Sequence, residues 1–354
     1  DCNLSGIFIF FLYFCSMLVN EKTWNYIRQH ADDDVRKLAL QGVKDAEVDL
    51  QMALQQIAGR QTARRKLPSW AAVDGIIYPP HLNMEQCSSE QTARYKGKIA
   101  GGGESMVDLT GGFGVDFHWI SQGFRQRTYV EQNEQLCTIS SHNFEVLGLA
   151  CSVCCCDTAT YLTTMPHVDL IYMDPARRNE HGGRTYGIAD CSPNVLELLP
   201  LLLEKADRLL VKLSPMLDWR KAVEDLKYVK EVHIVSVDNE CKEILLLLGK
   251  ECKDDLRVVC VNDDSRFDFF LTERNGLSLV EKRPFTVRET AFLYEPNVSI
   301  RKAGCFEAVE ACYSVRQVAP NSHLFLSDVE VEDFPGRKFQ ILAISSMNKQ
   351  DIKK

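Results

Sequence analysis

The sequence has no net positive charge and no sign of repetition. Its 354 residues carry a formal net charge of −8 at pH 7, so the molecule as a whole repels polyanions. Any contact with nucleic acid must therefore come from a local basic face. The sequence contains no internal repeat and no low-complexity tract, which excludes a repeat array. A hydrophobic content of 45% is enough to build a large core, which indicates a globular protein.

The sequence also lacks the cysteine spacing of a disulfide framework or a zinc site. Its 14 cysteines are scattered along the chain, and no Cys-x-x-Cys pair stands next to a second such pair. Cys154, Cys155 and Cys156 are consecutive in a stretch that is predicted to be a buried strand. This usage is typical of a reducing compartment. We therefore expect a cytoplasmic protein that holds no metal.

Long hydrophobic runs are missing apart from one. Residues 4–19 carry no charge, but the run is too short to span a membrane comfortably. A secretory signal would begin with basic residues, whereas this chain opens with Asp1. We expect Met17 to be the native start and residues 1–16 to be translated upstream sequence or a fragment edge. A signal anchor is the alternative, and no membrane contact is expected.

A glycine-rich stretch from Ser105 to Asp116, S-M-V-D-L-T-G-G-F-G-V-D, organises the rest of the chain. It reads as a strand, a glycine turn and the first turn of a helix, where a nucleotide-like ligand can lie against bare backbone. A dinucleotide fingerprint that starts at Gly112 would have its sixth position at Phe117, which argues against NAD. Asp108 and Asp116 flank the glycines and suit a cationic ligand with an amino group, such as S-adenosylmethionine. The residues predicted to bind it here are Asp108, Thr110, Gly111, Gly112 and Gly114.

The remaining periodicity predicts an α/β protein with a Rossmann-like sheet of seven strands. Apolar residues recur at three- and four-residue steps over residues 21–90, which predicts a helical amino-terminal domain behind the leader 1–20. The predicted strands lie at residues 106–109, 128–131, 150–156, 168–173, 209–213, 232–237 and 244–248. The last two are too close for a helical crossover and must be antiparallel. The sheet domain is assigned to residues 91–250, and a smaller α+β domain to residues 251–354.

Three successive strands end in an acidic residue. Because the carboxyl ends of parallel strands share one edge of the sheet, Glu131, Asp157 and Asp174 should lie along that edge. Glu131 follows Asp108 at about the distance that places an acid on a ribose, so it is predicted to accept hydrogen bonds from the ribose hydroxyls. Asp157 is predicted to accept from the adenine amino group, although an Asp after a strand is also an ordinary helix cap.

The stretch D-P-A-R-R, residues 174–178, is the predicted catalytic segment. An acid followed by a proline presents a carboxylate and a main-chain carbonyl as a rigid pair, which could hold a planar donor such as an exocyclic amine. Asp174, Pro175 and Arg177 are the predicted catalytic residues. Arg177, Arg178 and Arg184 are predicted to bind substrate phosphate, or else to pair with local acids. The glycines within residues 179–191 predict a mobile substrate-gating loop.

Three other features can each be interpreted in two ways. Cys191 could act as a nucleophile, but no activating residue is near it in sequence, so a structural role is favoured. Lys212 either reaches the pocket or solvates a strand end. Four cations near the end of the predicted helical domain, here called the basic cluster, could touch phosphate or form a solvated helix end. They are Arg60, Arg64, Arg65 and Lys66.

Several motifs together resemble a Bacteroidetes family of class I S-adenosylmethionine-dependent methyltransferases with a THUMP-like carboxyl-terminal domain. They are D-L-T-G-G-F-G-V-D, E-Q-C-S-S-E-Q-T-A-R-Y-K, D-P-A-R-R, K-L-S-P-M-L-D, Y-E-P-N-V-S-I-R-K-A-G, P-N-S-H-L-F and E-D-F-P-G-R. The resemblance covers roughly residues 20–345 and implies a ferredoxin-like piece leading into the THUMP-like domain. Since THUMP domains in better understood enzymes bind RNA, it also implies a base of transfer or ribosomal RNA as the methyl acceptor.

The methylated atom stays open at this point. D-P-A-R departs from the acid-Pro-Pro-aromatic signature of amino methyltransferases, and it is closer to the D-P-P-R of enzymes that methylate pyrimidine C5. Two alternatives to an RNA methyltransferase also remain. One is a non-catalytic RNA-binding adaptor on the same fold, and the other is a methyltransferase with a protein or small-molecule acceptor.

Overall fold

The computed structural model describes residues 19–177, 187–250, 255–272, 291–320 and 322–344 of the chain. The chain forms two compact units. The first extends to Met173 and includes Glu204–Ala206, and the second comprises residues 174–203 and 207–354. Among the described residues, no helix combines the length and apolarity that a membrane span requires. The hydrophobic stretch at residues 4–18 lies outside the described part.

The amino-terminal part of the first unit is helical, as predicted. Its helices are α1 Glu21–Gln29, α2 Val35–Gln41, α3 Leu50–Lys66, α4 Pro68–Ala71, α5 His81–Gln86 and α6 Glu90–Ala100. Asn20, Asp34, Asp49 and Ser89 each precede a helix, and their side chains accept hydrogen bonds from first-turn amides. Their side chains thus satisfy amides that have no partner within the helix.

A parallel sheet follows in the same unit. It consists of β1 Gly103–Asp108, β2 Phe124–Glu131, β3 Ser152–Cys155 and β4 Val168–Met173. The connecting helices are α7 Val115–Ile120, α8 Glu134–Val146 and α9 Thr158–Thr164. All neighbours pair in parallel, in the order β3-β2-β1-β4. The carboxyl ends of these strands therefore lie on one edge, which confirms this part of the predicted arrangement.

The second unit carries a mixed sheet. Two-residue strands β5 Ala176–Arg177 and β6 Cys191–Ser192 precede α10 Val195–Lys205, β7 Ala206–Leu213, α11 Trp219–Leu226, β8 Val229–Val237 and β9 Glu240–Gly249. Strand β9 pairs antiparallel with both β7 and β8, which confirms the predicted antiparallel pair. Strand β10, Asp255–Asn262, then pairs in parallel with β8, and β11, Ser265–Thr272, pairs antiparallel with β10.

A separate four-stranded sheet forms the last described part of the second unit. Its strands are β12 Phe292–Pro296, β13 Arg316–Gln317, β14 Phe325–Ser327 and β15 Gly336–Gln340, in the order β13-β14-β12-β15. Helices α12, Val298–Ala303, and α13, Phe306–Tyr313, lie between β12 and β13. The sequence predicts one helix over residues 302–315; instead, Gly304 adopts a φ of 66° and ends α12.

The predicted α/β class is thus confirmed. The sequence predicts seven strands for the main sheet, whereas β10 pairs with β8 and β11 with β10, which adds two strands in the second unit. The burial of one predicted strand is also corrected. The stretch with Cys154, Cys155 and Cys156 is not buried, because β3 stands at the end of the strand order and Cys155 is exposed. An end strand contacts a neighbour on one side only, so its side chains keep more contact with solvent.

Candidate functional site

The glycine turn, residues 109–114, is bonded to strands on both sides of β1. The amide of Gly111 donates to the carbonyl of Val130 on β2 at 2.9 Å. The amide of Leu109 donates to the carbonyl of Tyr172 on β4 at 3.1 Å. Thr158, at the start of α9, donates its hydroxyl to the carbonyl of Leu109 at 2.7 Å. The turn is therefore held firmly at the carboxyl edge of the parallel sheet.

Two of the three glycines of the turn are required for packing, and the third leaves open space. A Cβ atom on Gly111 would lie 2.2 Å from the ring of Tyr129, and one on Gly114 would lie 2.5 Å from the ring of Phe144. These two glycines make room for protein side chains. Gly112 has a φ of +56°, and a Cβ atom there would meet nothing closer than the carbonyl of Thr110 at 3.8 Å. The bare backbone that the sequence predicts for close ligand approach is therefore found at Gly112.

Two acids are fixed around this turn. Asp108 is buried, and its Oδ1 accepts from the amide of Thr110 at 2.9 Å. Glu131 is half-buried; its Oε2 accepts from the amide of Gly112 at 2.8 Å and its Oε1 from the amide of Asn133 at 2.8 Å. A carboxylate oxygen has more than one lone pair, so each can accept a further hydrogen bond from a ligand. Their predicted roles toward the amino group and the ribose stay predictions.

Asp157 serves as a helix cap in this structure. It is exposed, and its carboxylate accepts from the amide of Thr160 at 3.0 Å at the start of α9. Hydrogen bonds from the Thr160 side chain and amide hold the pKa of Asp157 below its usual value. The alternative interpretation, an ordinary cap, therefore describes its contacts here, and its predicted role toward adenine stays a prediction.

A buried lysine cluster, consisting of Lys96, Ser88, Asp116 and Tyr172, lies next to the glycine turn. Lys96 is fully buried, and its Nζ is 3.1 Å from Asp116 Oδ1 and 3.1 Å from Ser88 Oγ. Asp116 Oδ2 accepts from Ser88 Oγ at 2.8 Å and from the hydroxyl of Tyr172 at 2.7 Å. The sequence suggests Asp116 for a ligand's amino group, but its carboxylate meets an ammonium of the protein itself.

Sequence reasoning missed the role of Lys96, although a signal is present. Thr92 and Lys96 stand four residues apart on one face of α6, and Ser88 lies at the same spacing just before the helix begins. The many hydrogen-bonding groups of residues 85–98 suggest a lining of the ligand pocket. That lining stays a prediction; through Ser88 and Lys96, this stretch supports the first turn of α7, directly after the glycines.

An acid-lysine pair, Asp174 and Lys212, occupies the second unit. Asp174 follows β4 in the chain, and Lys212 lies on β7. The Nζ of Lys212 donates to Asp174 Oδ2 at 2.6 Å; the lysine side chain is 14% exposed and the aspartate side chain 37%. Of the two interpretations of Lys212, the structure therefore excludes a lysine that only solvates a strand end.

The other predicted residues of this segment are only partly described. Pro175 is buried, and the backbones of Ala176 and Arg177 pair antiparallel with Ser192 and Cys191. Cys191 is 1% exposed within β6, which suits the structural role favoured for it. Arg178, Arg184 and the rest of residues 178–186, including most of the predicted gating loop, lie outside the described residues.

Much of the basic cluster is occupied by contacts within the protein. Arg60 bonds Asp74 at 3.2 Å, and Arg64 forms an ion pair with Asp32. The Nζ of Lys66 donates to the carbonyls of Met84 and Glu85 at 2.8 and 2.7 Å. These contacts leave Arg65, which is exposed, as the cation of the cluster most accessible to a phosphate.

Comparison with known proteins gives one family match and several structural matches. A family model described as a ferredoxin-like domain matches residues 292–335. No curated protein matches the sequence. The crystal structure of a candidate methyltransferase from Porphyromonas gingivalis W83 superposes with a TM-score of 0.79. The two sequences are 30% identical, and the match covers 91% of this chain and 82% of that one.

Two further matches are much looser. A candidate class I S-adenosylmethionine-dependent methyltransferase from Listeria monocytogenes gives a TM-score of 0.41 at 11% identity, covering 68% of this chain and 93% of that one. TrmK of M. capricolum, bound to S-adenosyl-homocysteine, gives 0.35 at 13% identity, covering 45% and 68%. Likenesses this loose carry no argument about the substrate of this chain.

The parallel order β3-β2-β1-β4, the glycine turn after β1 and the antiparallel strand β9 between β7 and β8 define a class I methyltransferase fold. Within that class, the chain belongs to the family of the Porphyromonas gingivalis candidate methyltransferase, which it matches over most of both chains.

Proposed function

We propose that the protein is an S-adenosylmethionine-dependent methyltransferase that acts on RNA. The observation that carries the proposal is the contact between Glu131 and Gly112 at 2.8 Å. It fixes a strand-end acid beside the one glycine of the turn whose missing Cβ leaves open space. A ligand can lie against that backbone while its ribose hydroxyls donate to the carboxylate. Membership of a methyltransferase family supports the same reaction class.

The residues around the turn fit this cofactor better than a dinucleotide. Asp108 and Glu131 bring two carboxylates to the site, which would repel a pyrophosphate and attract a cation with an amino group. Phe117 is fully buried and packs against the rings of Tyr129 and Phe144, at the place where a dinucleotide fingerprint needs a glycine. When bound, S-adenosylmethionine supplies an electrophilic methyl group on a sulfonium.

Asp174 is the proposed residue that acts on the methyl acceptor. Its carboxylate is 37% exposed, and the buried Pro175 fixes the backbone next to it. Asp174 accepts a hydrogen bond from the acceptor group and takes up the proton that this group loses on methylation. The bound cofactor would supply the methyl group, and its sulfur would keep the electron pair of the broken carbon–sulfur bond. Orientation and proton removal suffice here, because the methyl group is already electrophilic.

The choice of RNA rests on the cations of the catalytic segment and on the family resemblance of the sequence. Arg177, Arg178 and Arg184 follow Asp174 closely and would bind phosphates. A protein or small-molecule acceptor is the second candidate. It is favoured by the net charge of −8 and by the internal pairing of Arg60 and Arg64. RNA would need these arginines for binding, whereas a protein or small-molecule acceptor would not, so substituting them distinguishes the two classes.

Calorimetry tests the cofactor. We expect S-adenosylhomocysteine to bind, and Glu131→Ala to lose about 1.5 to 3 kcal/mol of binding free energy, since a charge-assisted hydrogen bond is lost. Glu134→Ala, an exposed acid in the first turn of α8, is the matched control and should bind normally. Heat with a nicotinamide dinucleotide and none with S-adenosylhomocysteine would replace this proposal by an oxidoreductase.

Mass spectrometry of digested RNA tests the acceptor. RNA from cells that lack the gene should be missing one methylated nucleoside that wild-type RNA contains. The wild-type gene should restore it and Asp174→Ala should not, whereas a non-catalytic adaptor would be indifferent to that change. If no nucleoside disappears, the protein or small-molecule acceptor becomes the better proposal.

A further inference from the structure

Lys212 interrupts the apolar carboxyl-terminal part of β7, residues 209–213. In β7, Leu210, Val211 and Leu213 are at most 2% exposed, and the side chain of Lys212 between them is 14% exposed. A lysine in such surroundings loses hydration, and the loss is offset only by a well-placed partner. A lysine at this position therefore calls for an explanation beyond the general stability of the sheet.

The partner of this lysine is the proposed catalytic acid. The Nζ of Lys212 lies 2.6 Å from Asp174 Oδ2, in a short charge-assisted hydrogen bond. Asp174 is the more exposed member of the pair, at 37% against 14%. A methyl acceptor can therefore reach the carboxylate of Asp174. The ammonium of Lys212 belongs to the more buried of the two side chains.

Rigid backbone sets the position of the lysine. Lys212 stands opposite Leu245 in the antiparallel pairing of β7 with β9. The chain then turns directly after β7, where the amide of Leu217 donates to the carbonyl of Ser214 at 3.1 Å. The buried Pro175 restricts the backbone beside Asp174. The geometry of the ion pair is therefore built into the fold.

We propose that Lys212 is a positioning residue of methyl transfer, which holds the Asp174 carboxylate in one orientation toward the methyl acceptor. This inference rests on the proposed function. A carboxylate that is held in one orientation is already in the reactive geometry when the acceptor binds. The lysine therefore raises the rate of methyl transfer within the bound complex. In this role the lysine acts on the methyl acceptor through Asp174, so we expect the affinity for S-adenosylhomocysteine to be independent of it.

A double-mutant cycle tests whether Lys212 acts on the rate of methyl transfer through Asp174. The probe is total RNA from cells that lack the gene, methylated with tritium-labelled S-adenosylmethionine. We expect Lys212→Met to lower kcat about 10- to 100-fold, with KM for RNA and the Kd for S-adenosylhomocysteine unchanged. In the Asp174→Asn background the same change should have less than about a 2-fold effect, because the lysine acts through the acid. Lys212→Arg should recover part of the rate.

Lys221→Met is the matched control. Lys221 forms an ion pair with Asp225 at 2.8 Å on α11, so the same substitution removes a surface pair and should leave kcat unchanged. The inference is overturned if Lys212→Met raises KM with kcat unchanged, if its loss multiplies with that of Asp174→Asn, or if Lys212→Met is as active as wild type. An inactive wild-type protein would instead remove the proposed function, and this inference with it.

Discussion

Lys96 is a fully buried lysine whose ammonium lies 3.1 Å from Asp116. Removing one member of a buried ion pair leaves the other charge in an apolar environment, which costs more than the pair contributes. We expect Lys96→Met to lower the free energy of unfolding by about 3 kcal/mol, measured by urea denaturation. Lys98→Met, at an exposed position of the same helix, should have little effect.

The double variant Lys96→Met/Asp116→Leu gives the decisive comparison. Because it leaves no buried charge behind, it should recover a large part of the lost stability. A double variant that is less stable than Lys96→Met would show that Asp116 is stabilised mainly by Ser88 and Tyr172, which donate to its other oxygen.

His118 makes the stability of the first unit depend on pH. Its ring packs edge-on against Trp70 and Trp119, and burial lowers the pKa of His118 from its ordinary value of 6.5 to about 4. Folding therefore favours the neutral ring. The free energy of unfolding is therefore highest above about pH 6.5. It falls by about 2 to 3 kcal/mol as the pH drops toward 4, because the unfolded chain then binds a proton that the folded protein does not.

This dependence can be measured by unfolding at a series of pH values. His118→Gln, which cannot titrate, should flatten the stability profile between pH 6.5 and 4. His81→Gln is the control, because the side chain of His81 is 74% exposed. A profile that is equally steep in wild type and His118→Gln would assign the acid sensitivity to other groups.

At the scale of a single element, two glycines of the same turn have different roles: Gly111 is needed for packing and Gly112 for ligand access. Gly111→Ala brings a Cβ atom within 2.2 Å of the Tyr129 ring and should cost about 1 to 3 kcal/mol of stability. Gly112→Ala meets open space, so it should cost only about 1 kcal/mol for its positive φ, yet it should weaken S-adenosylhomocysteine binding strongly.

Gly42 provides the control for backbone strain. It has a φ of +66° and lies at the end of α2, and a Cβ atom there would meet nothing within 4 Å. Gly42 also has a ψ of −170°, a conformation that residues other than glycine rarely adopt, so Gly42→Ala should cost at least as much stability as Gly112→Ala and leave binding unchanged. Thermal unfolding and calorimetry on the three variants give both readouts, and normal binding by Gly112→Ala would remove the ligand from this turn.

The elements themselves are largely predictable from the sequence, whereas the contacts between them are not. Residues 168–173 form β4 as predicted, and the short link before β9 requires the antiparallel pair, because both signals are local. Pairings such as Lys96 with Asp116 and Lys212 with Asp174 join distant positions of the sequence. No local pattern in the sequence indicates such a pairing. The sequence alone therefore favours a ligand beside Asp116 and leaves two interpretations of Lys212.

For the whole molecule, charge limits how RNA can bind. Of seven candidate cations, Arg60, Arg64 and Lys66 are engaged within the protein. We expect RNA binding to rest on Arg65 and on the three arginines that are predicted to bind phosphate after Asp174. Each neutralised phosphate contributes about 0.7 to 0.9 to the salt dependence. We expect a log-log slope of affinity against salt of magnitude about 3, measured by titration at several KCl concentrations.

Charge reversal tests which cations contribute. Arg177→Glu/Arg178→Glu should abolish RNA affinity and leave S-adenosylhomocysteine binding intact. Arg60→Glu/Arg64→Glu is the matched reversal in the basic cluster and should change RNA affinity much less. RNA binding that survives the first pair would favour a protein or small-molecule acceptor.

The parallel pairing of β10 with β8 affects how the protein can be divided for study. Strand β8 has β9 on one side and β10 on the other, with register pairs from Glu231 and Arg257 to Ser236 and Asn262. A chain cut after residue 250 would expose the amides and carbonyls along that side of β8, in a strand whose Val232 and Ile234 are fully buried. Such an uncovered strand recruits strands from other molecules, so the fragment would aggregate on expression. Fragments that keep residues up to Thr272 retain the cover and should remain dispersed.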